Sequence, residues 1–277
     1  MKIGIASQTY VKKLGLEAGL KRMKADGYDC IDYDALANTE TPVFHCSETE
    51  FASAMKHIRT CAEDCGLQIW QTHGPWRWPI QDATPENRAE RFEKMTRAIL
   101  GTALLGCRFF VIHPIMPFGE VDTDPAFTWD INLDFMTRLA GFAAGHGVTV
   151  CLENMPFRQQ SIATPEECLR LVREIHSPSL KMCLDTGHCI LRGVQPGGAV
   201  RLLGRDMLAA LHVHDNDGTR DLHQYPFSGV MDWGDFCKAL QEIGFDGAMS
   251  LEAELEEGRE AELYQTAVRL AGNVVQA

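Results

Sequence analysis

Short apolar segments of strand length alternate with longer segments of helical periodicity along the whole chain, and the alternation repeats eight times. The predicted strands span residues 2–9, 28–35, 67–74, 108–114, 148–154, 180–188, 208–215 and 247–254. The predicted helices span residues 16–26, 48–65, 86–105, 129–145, 164–175, 197–206, 233–243 and 257–275. Eight successive βα units, without a linker-like segment or a break in composition, predict an α/β fold in which residues 1–277 form a single (β/α)8 TIM barrel.

Charge and composition argue against several classes of protein. The 277 residues carry 26 Lys and Arg against 38 Asp and Glu, a net charge of −12 that repels phosphate backbones and anionic membrane surfaces. No stretch approaches the roughly 20 apolar residues of a membrane span, and the N-terminal residues do not resemble a signal peptide. The ten cysteines form no C-x-x-C pair, so we expect them to be reduced and mostly buried. We therefore expect a cytoplasmic protein without nucleic-acid or membrane partners.

Polar residues stand at the carboxyl ends of the later predicted strands. They are His73, His113, Glu153, Asp185, His212, His214 and Glu252. Because side chains alternate between the two faces of a strand, Glu153 shares its face with Cys151, and Glu252 shares its face with Ser250. Small residues therefore line the predicted barrel interior, and the polar side chains converge on the mouth where such barrels carry their chemistry.

Three carboxylates in one barrel mouth predict a bound cation. They would repel one another, and burying them would cost free energy unless a positive charge compensated them. A set of two Glu, one Asp and one His suits Mn²⁺, Mg²⁺, Co²⁺ or Zn²⁺ and leaves open positions for substrate oxygens. A single His or Glu at a strand end would more often be structural, so the prediction depends on their convergence.

Four motifs carry a resemblance to a known family. They are LENMP with Glu153, LDTGH with Asp185 and His188, LHVHDND with His212, and SLEAEL with Glu252. They resemble the xylose isomerase-like barrel superfamily, in particular its sugar (phosphate) isomerase/epimerase branch, over essentially the whole chain. The resemblance implies that Glu153, Asp185, His212 and Glu252 hold a single divalent metal ion.

The resemblance also implies a reaction on a sugar, a sugar phosphate or a related keto-polyol. Glu153 and Glu252 would act as the acid/base pair on an enediolate that the metal stabilises. His188 resembles the ligand of a substrate oxygen in this branch. Further candidates for substrate binding near the mouth are His113, His73, Trp76 and Arg220.

Two departures from the keto-sugar 3-epimerases leave related reactions open. Those enzymes carry an Arg soon after the strand-seven His, where this chain has Gly218 and the nearest Arg is Arg220. They also carry an acid shortly after the strand-five Glu, where this chain has Pro156, Phe157 and Arg158. An inosose-type dehydratase and the catalytic subunit of a C-glycoside deglycosidase, which would need a partner subunit, are therefore alternatives. A homo-oligomer is plausible for this fold.

A second resemblance, to the trinuclear zinc endonuclease IV of the same superfamily, points to a different class. The chain has a possible counterpart for every metal ligand of that enzyme, including Asp221 and His223 in the segment RDLHQYP. Together with His214, these two residues are candidates for additional metal binding or for ordering the loop over the substrate. The matching ligands make a multi-zinc phosphodiester hydrolase the alternative from another functional class. The net charge of −12 argues against DNA as its substrate.

Overall fold

The computed structural model describes residues 1–80, 82–253 and 259–275. Within them, eight parallel strands form one sheet in the order β7-β6-β5-β4-β3-β2-β1-β8. The strands are β1 (Lys2–Ala6), β2 (Cys30–Tyr33), β3 (Gln68–His73), β4 (Phe109–Ile112), β5 (Thr149–Glu153), β6 (Leu180–Asp185), β7 (Leu208–His212) and β8 (Ala248–Leu251). The two edge strands meet where the Val213 amide donates to the Ser250 carbonyl over 2.8 Å. The predicted (β/α)8 barrel is confirmed.

Helices follow the strands, and most of them cover the outside of the barrel. They are α1 (Gln8–Leu14), α2 (Leu16–Asp26), α3 (Glu48–Asp64), α4 (Pro85–Leu104), α5 (Pro125–Ala144), α6 (Pro165–Ile175), α7 (Thr186–Leu191), α8 (Pro196–Met207), α9 (Trp233–Glu242) and α10 (Glu260–Val275), with 3-10 turns at Asp34–Ala37 and Pro42–Phe44. Ser47, Thr84 and Thr164 each cap a helix through a reciprocal capping box. Local hydrogen bonding thus sets the starts of α3, α4 and α6, close to the predicted positions.

The prediction that the sixth strand continues to residue 188 is wrong. Strand β6 ends at Asp185, whose side chain accepts a hydrogen bond from the His188 amide and begins α7. The short helix α1 was likewise not predicted. Residue 254 of the predicted eighth strand and residues 257–258 of the predicted last helix lie outside the described residues.

The interior of the barrel follows the predicted alternation of side chains. Val111, Cys151, Cys183 and Ala210 form a buried apolar cluster of their own. The residues between them on the same strands belong to the larger core beneath the helices, for example Val150, Leu152, Leu184 and Leu211. One face of each strand therefore packs inside the barrel and the other packs against the helices.

Two further sequence predictions concern the cysteines and membrane-spanning segments. All ten cysteines are free thiols and seven of them are buried, as predicted. In the part of the chain that the structure describes, no helix is both long enough and apolar enough to cross a membrane.

Candidate metal centre

Four side chains converge at the carboxyl ends of neighbouring strands. Glu153 ends β5, Asp185 ends β6, His212 ends β7, and Glu252 directly follows β8. One ligand atom from each of these residues lies within 4.8 Å of the others. Glu153, Asp185 and His212 are almost completely buried, whereas the Glu252 side chain keeps 30% of its surface exposed. The structure thus brings together the four residues that the sequence predicts as metal ligands.

His212 lies between the two glutamates of this set. Its Nδ1 is 2.8 Å from Glu153 Oε1 and 3.0 Å from Glu252 Oε2. Asp185 approaches from the next strand, because the pairing of β6 with β7 places it beside His212. The nitrogen that faces the carboxylates is therefore Nδ1, and Nε2 points away from them.

The charges in this set depend on one another. Burial opposes ionisation of Glu153, but the charge of His212 and the neighbouring His113 outweigh it and hold the glutamate pKa well below its ordinary value. Burial also opposes protonation of His212, but Glu153 and Glu252 raise its pKa well above the ordinary value. A proton on His212 thus partly neutralises the cluster, in the place where a divalent cation would do so more completely.

The donor set fits a divalent cation. Glu153 Oε2 is buried and has no hydrogen-bond partner, although His113 Nε2 lies 3.1 Å away. Such an oxygen costs free energy unless a cation or a donor satisfies it. Three carboxylates with one imidazole match the ligand preferences of Mn²⁺, Mg²⁺, Co²⁺ and Zn²⁺.

Sequence reasoning missed the residues behind His212. Asp32, on β2, is 3% exposed, and its Oδ2 lies 3.0 Å from His212 Nε2. The Gln71 amide donates to the same oxygen over 2.8 Å and to the Leu211 carbonyl over 3.2 Å. The alternation of side chains along the second predicted strand, residues 28–35, could have indicated that Asp32 faces the barrel interior. Asp32 does not stand at the end of that strand, however, and the predicted site residues all come from strand ends or the loops that follow them.

Asn154 was also missed, although it follows Glu153 directly. Its amide group donates to the Asp185 carbonyl over 3.0 Å and accepts from the Asp185 amide over 2.9 Å. Its own carbonyl lies 2.7 Å from His188 Nδ1. Asn154 therefore joins the ends of β5 and β6 and orients His188.

A second cluster lies beside the first and contains His188, His214, Asp221 and His223. Asp221 Oδ2 is 3.1 Å from His188 Nε2 and 3.4 Å from His223 Nε2. Burial opposes protonation of both imidazoles, but nearby carboxylates, chiefly Asp185 for His188 and Asp221 for His223, raise each pKa to about 10. His214 Nε2 donates to Asp185 Oδ2 over 3.0 Å, and the His214 ring stacks on His223. Either a second cation or the two imidazolium groups can balance Asp221.

A third group joins the ends of β3 and β4 to the first cluster. His73 and His113 place Nε2 at 3.5 Å and 3.1 Å from Glu153 Oε2. Burial lowers the pKa of His113 to about 4, so this imidazole is neutral and available as a ligand or hydrogen-bond partner. The Trp76 and His113 rings pack nearly perpendicular to each other, with the ring centroids 4.4 Å apart.

A cavity of about 570 Å³ opens above these clusters. Its wall includes the predicted site residues His73, Trp76, His113, Glu153, His188, Asp221, His223 and Glu252. Sequence reasoning missed other lining residues, among them Gln8, Lys12 and Asp34. Arg220 is exposed on its loop and is not among the described residues that line this cavity.

Comparison with known proteins places this geometry in a family. A model of the xylose isomerase-like TIM barrel family matches residues 20–272. An uncharacterized protein of Methanocaldococcus jannaschii is 31% identical over 182 residues, which span 63% of this chain and 62% of that protein. The D-psicose 3-epimerase of Ruminiclostridium cellulolyticum is 24% identical over 229 residues, or 80% of this chain and 74% of that enzyme. Another relative is the inosose dehydratase of Geobacillus thermodenitrificans.

Solved structures share the fold. A D-tagatose 3-epimerase-like protein superposes with a TM-score of 0.80 at 23% identity and covers 100% of this chain and 99% of its own. The IolI protein, solved with a zinc atom bound, superposes with a TM-score of 0.77 at 19% identity, over 99% of this chain and 98% of its own. The match of the family model over most of its length shows that the chain belongs to the xylose isomerase-like TIM barrel family.

Proposed function

We propose that this protein is a metal-dependent isomerase or epimerase that acts on a sugar, a sugar phosphate or a related keto-polyol. One observation carries the proposal: ligand atoms of Glu153, Asp185, His212 and Glu252 lie within 4.8 Å of one another beneath an open cavity. Relatives named as sugar 3-epimerases support the class of substrate. A divalent ion held by these four residues would polarise two adjacent substrate oxygens and acidify the neighbouring C–H bond.

Glu153 and Glu252 are the proposed acid/base pair. Their carboxylates approach the same nitrogen of His212 at 2.8 Å and 3.0 Å, from strands on either side of β6 and β7. One carboxylate would remove the proton from a substrate carbon, and the other would return a proton. Return to the opposite face of the same carbon gives epimerisation, and return to the adjacent carbon gives isomerisation.

Other residues of the cavity would bind and orient the substrate. His188, held by the Asn154 carbonyl, presents Nε2 towards Asp221 at the cavity wall and would donate to a substrate oxygen. His73 and His113 also line the cavity, with Trp76 packed on His113. Trp76 would cover an apolar face of the sugar ring and exclude water from the reacting carbon.

The test is incubation of the metal-loaded protein with ketoses, ketose phosphates and inososes in D₂O. We expect solvent deuterium at a carbon of one substrate, and we expect this exchange to be lost in Glu153→Gln and Glu252→Gln. No incorporation with any compound, or unchanged exchange in both variants, would overturn the proposal. Loss of water from an inosose would favour the dehydratase alternative. Activity on a C-glycoside only with an added subunit would favour the deglycosidase.

A second candidate function, a multi-metal phosphodiester hydrolase, rests on the two additional clusters. Glu153 is shared between the first cluster and the His73 and His113 group. His188 of the second cluster places Nδ1 3.9 Å from Glu153 Oε1. The net charge of −12 weighs against a DNA substrate. Metal analysis after dialysis separates the two functions, since about one ion per chain favours the isomerase and about three zinc ions with phosphodiester cleavage favour the hydrolase.

A further inference from the structure

We propose that Asp32 is a positioning residue that fixes the ring of His212 so that Nδ1 faces the metal. The inference rests on the metal site of the proposed function but not on the identity of its substrate. Asp32 belongs to β2 and His212 ends β7, so their contact crosses the barrel interior. The distance of 3.0 Å between Asp32 Oδ2 and His212 Nε2 is that of a charge-assisted hydrogen bond.

The contact determines which nitrogen of His212 can bind a metal. A carboxylate only accepts hydrogen bonds, so Nε2 must carry the proton that it donates to Asp32. In a neutral imidazole the lone pair then lies on Nδ1, the atom within 3.0 Å of both Glu153 and Glu252. Carboxylates behind metal-binding histidines set ring orientation and raise ligand basicity in this way.

Two other side chains hold this pair in place. The Gln71 amide donates to Asp32 Oδ2 over 2.8 Å and to the Leu211 carbonyl over 3.2 Å, next to His212 in the chain. The His73 ring stacks on His212 with an interplanar angle of 11° and a centroid distance of 5.7 Å. The ring of His212 is therefore fixed at both nitrogens and on one face.

The arrangement is costly for folding. Asp32 Oδ1 and Gln71 Oε1 are both buried and have no hydrogen-bond partner. Unpaired buried oxygens each cost on the order of 1–3 kcal/mol, and apolar side chains of similar shape would avoid this cost. The need for a fixed metal ligand accounts for a polar pair that packing alone would not select.

The test is the variant Asp32→Asn in the full chain. Zn²⁺ and Mn²⁺ dissociation constants are measured by competition with a chelator, and ¹⁵N NMR of the zinc-loaded protein reports which nitrogen of His212 carries hydrogen. We expect metal affinity to fall about 10- to 100-fold. We also expect the single Nε2-protonated form of the wild type to become a mixture. Asp32→Glu should restore part of the affinity.

Asp29→Asn is the matched control. Asp29 is exposed, stands just before β2 and bonds to the Ile3 amide rather than to His212. The Asp29→Asn variant makes the same chemical change as Asp32→Asn, but it should leave the metal affinity and the His212 NMR signals unchanged. If Asp32→Asn does not fold, Gln71→Met keeps the carboxylate but removes its donor, and a several-fold loss of affinity is expected.

The outcomes separate this inference from the proposed function. A folded Asp32→Asn, or its Gln71→Met substitute, with wild-type metal affinity and an unchanged His212 tautomer would overturn the positioning role alone. A change in the free energy of unfolding, with metal affinity and the His212 tautomer both unchanged, would also overturn the positioning role. A purely structural role of Asp32 predicts that result. Failure of the wild-type protein to bind any of the metals would overturn both proposals.

Discussion

Two layers of side chains lie next to each other inside the barrel, and the same four strands contribute both. The inner layer consists of Cys151, Cys183, Ala210 and Ser250, and the ligand layer consists of Glu153, Asp185, His212 and Glu252. Each residue of the ligand layer follows its inner-layer counterpart by two positions. Alternation along a strand therefore sends both layers to the interior, although their chemistry is opposite.

The inner layer is neutral, and the ligand layer concentrates charge. Burial raises the thiol pKa of Cys151 to about 12 and that of Cys183 well above its ordinary value, so both thiols stay uncharged. Two residues further along the same strands, three carboxylates surround one imidazole. The comparison teaches that packing residues and candidate ligands can lie two residues apart on the same strand. The inner layer fills the barrel, and the ligand layer brings together the four side chains that are proposed to bind a cation.

Glu153→Gln should have the largest effect, because this carboxylate belongs to three of the groups of side chains that could hold a metal ion. We expect kcat/KM for the substrate that exchanges deuterium to fall by about 10³-fold or more, the range of lost acid–base catalysis together with a lost ligand. Cys151→Ala, two residues earlier, is the control from the inner layer and should keep wild-type kcat/KM. Equal losses in the two variants would erase the distinction between the layers.

Metal addition should stabilise the protein through the ligand layer only. At a free Mn²⁺ or Zn²⁺ concentration about 100 times the dissociation constant, binding adds about 2.7 kcal/mol to the unfolding free energy. For a chain of this size, that corresponds to a rise in Tm of about 5 to 10 °C by calorimetry. Glu252→Gln should reduce the rise and Cys151→Ala should keep it, because Cys151 belongs to none of the groups of described side chains that could hold a metal ion. A rise in Tm of wild-type size in Glu252→Gln would mean that the ion binds elsewhere.

Asp34 offers a contrast to the carboxylates of the ligand layer. It also lies near the barrel mouth, but the hydrogen bonds that its side chain accepts come from Ser7 and Gln8 and not from an imidazole. Burial and the charge of Asp32 raise its pKa from 3.8 to about 6, despite hydrogen bonds from Ser7 and Gln8. The folded state thus binds this proton more tightly than the unfolded state, and the associated stability is lost as pH rises from about 4 through 6.

Asp34→Asn should therefore stabilise the protein selectively at higher pH. We expect a gain of about 2 kcal/mol in unfolding free energy at pH 8 and little gain at pH 4, measured by urea denaturation. Asp29→Asn, which makes the same substitution at an exposed carboxylate just before β2, is the matched control for the substitution itself. A gain of equal size at both pH values would contradict the role of ionisation.

Ser250→Ala should have the smallest effect. The Ser250 hydroxyl is buried in the inner layer without a hydrogen-bond partner. Its removal should leave metal affinity unchanged and raise the unfolding free energy by up to about 1 kcal/mol, measured by urea denaturation. A clear loss of metal affinity would mean that Ser250 takes part in the ligand layer.

Much of the fold and the core of the candidate site could be predicted from local patterns. The alternation of strands and helices predicts the barrel, and period two within each strand predicts that Glu153, Asp185 and Glu252 face inward. The predicted ends of strands are less accurate where a side chain accepts a hydrogen bond from a backbone amide and begins a helix. The cap that Asp185 forms with the His188 amide ends β6 three residues before its predicted end.

Residues that act across the barrel could not be predicted in this way. Asp32 and His212 are separated by 180 positions, and nothing near Asp32 in the chain indicates that its carboxylate contacts His212. Arg220 shows the converse, since its closeness in sequence to His212 suggested a role in the cavity that its exposed position does not support.

The sequence by itself determined the number of βα units, the inward faces of the strands and the set of carboxylates and imidazoles at their ends, because these depend on periodicities of two and 3.6 residues. Only the tertiary structure decided which nitrogen of His212 faces the carboxylates, which side chains stand behind it and which pKa values are raised or lowered. These depend on distances between strands that are remote in the chain, and on burial that exists only once the barrel has closed.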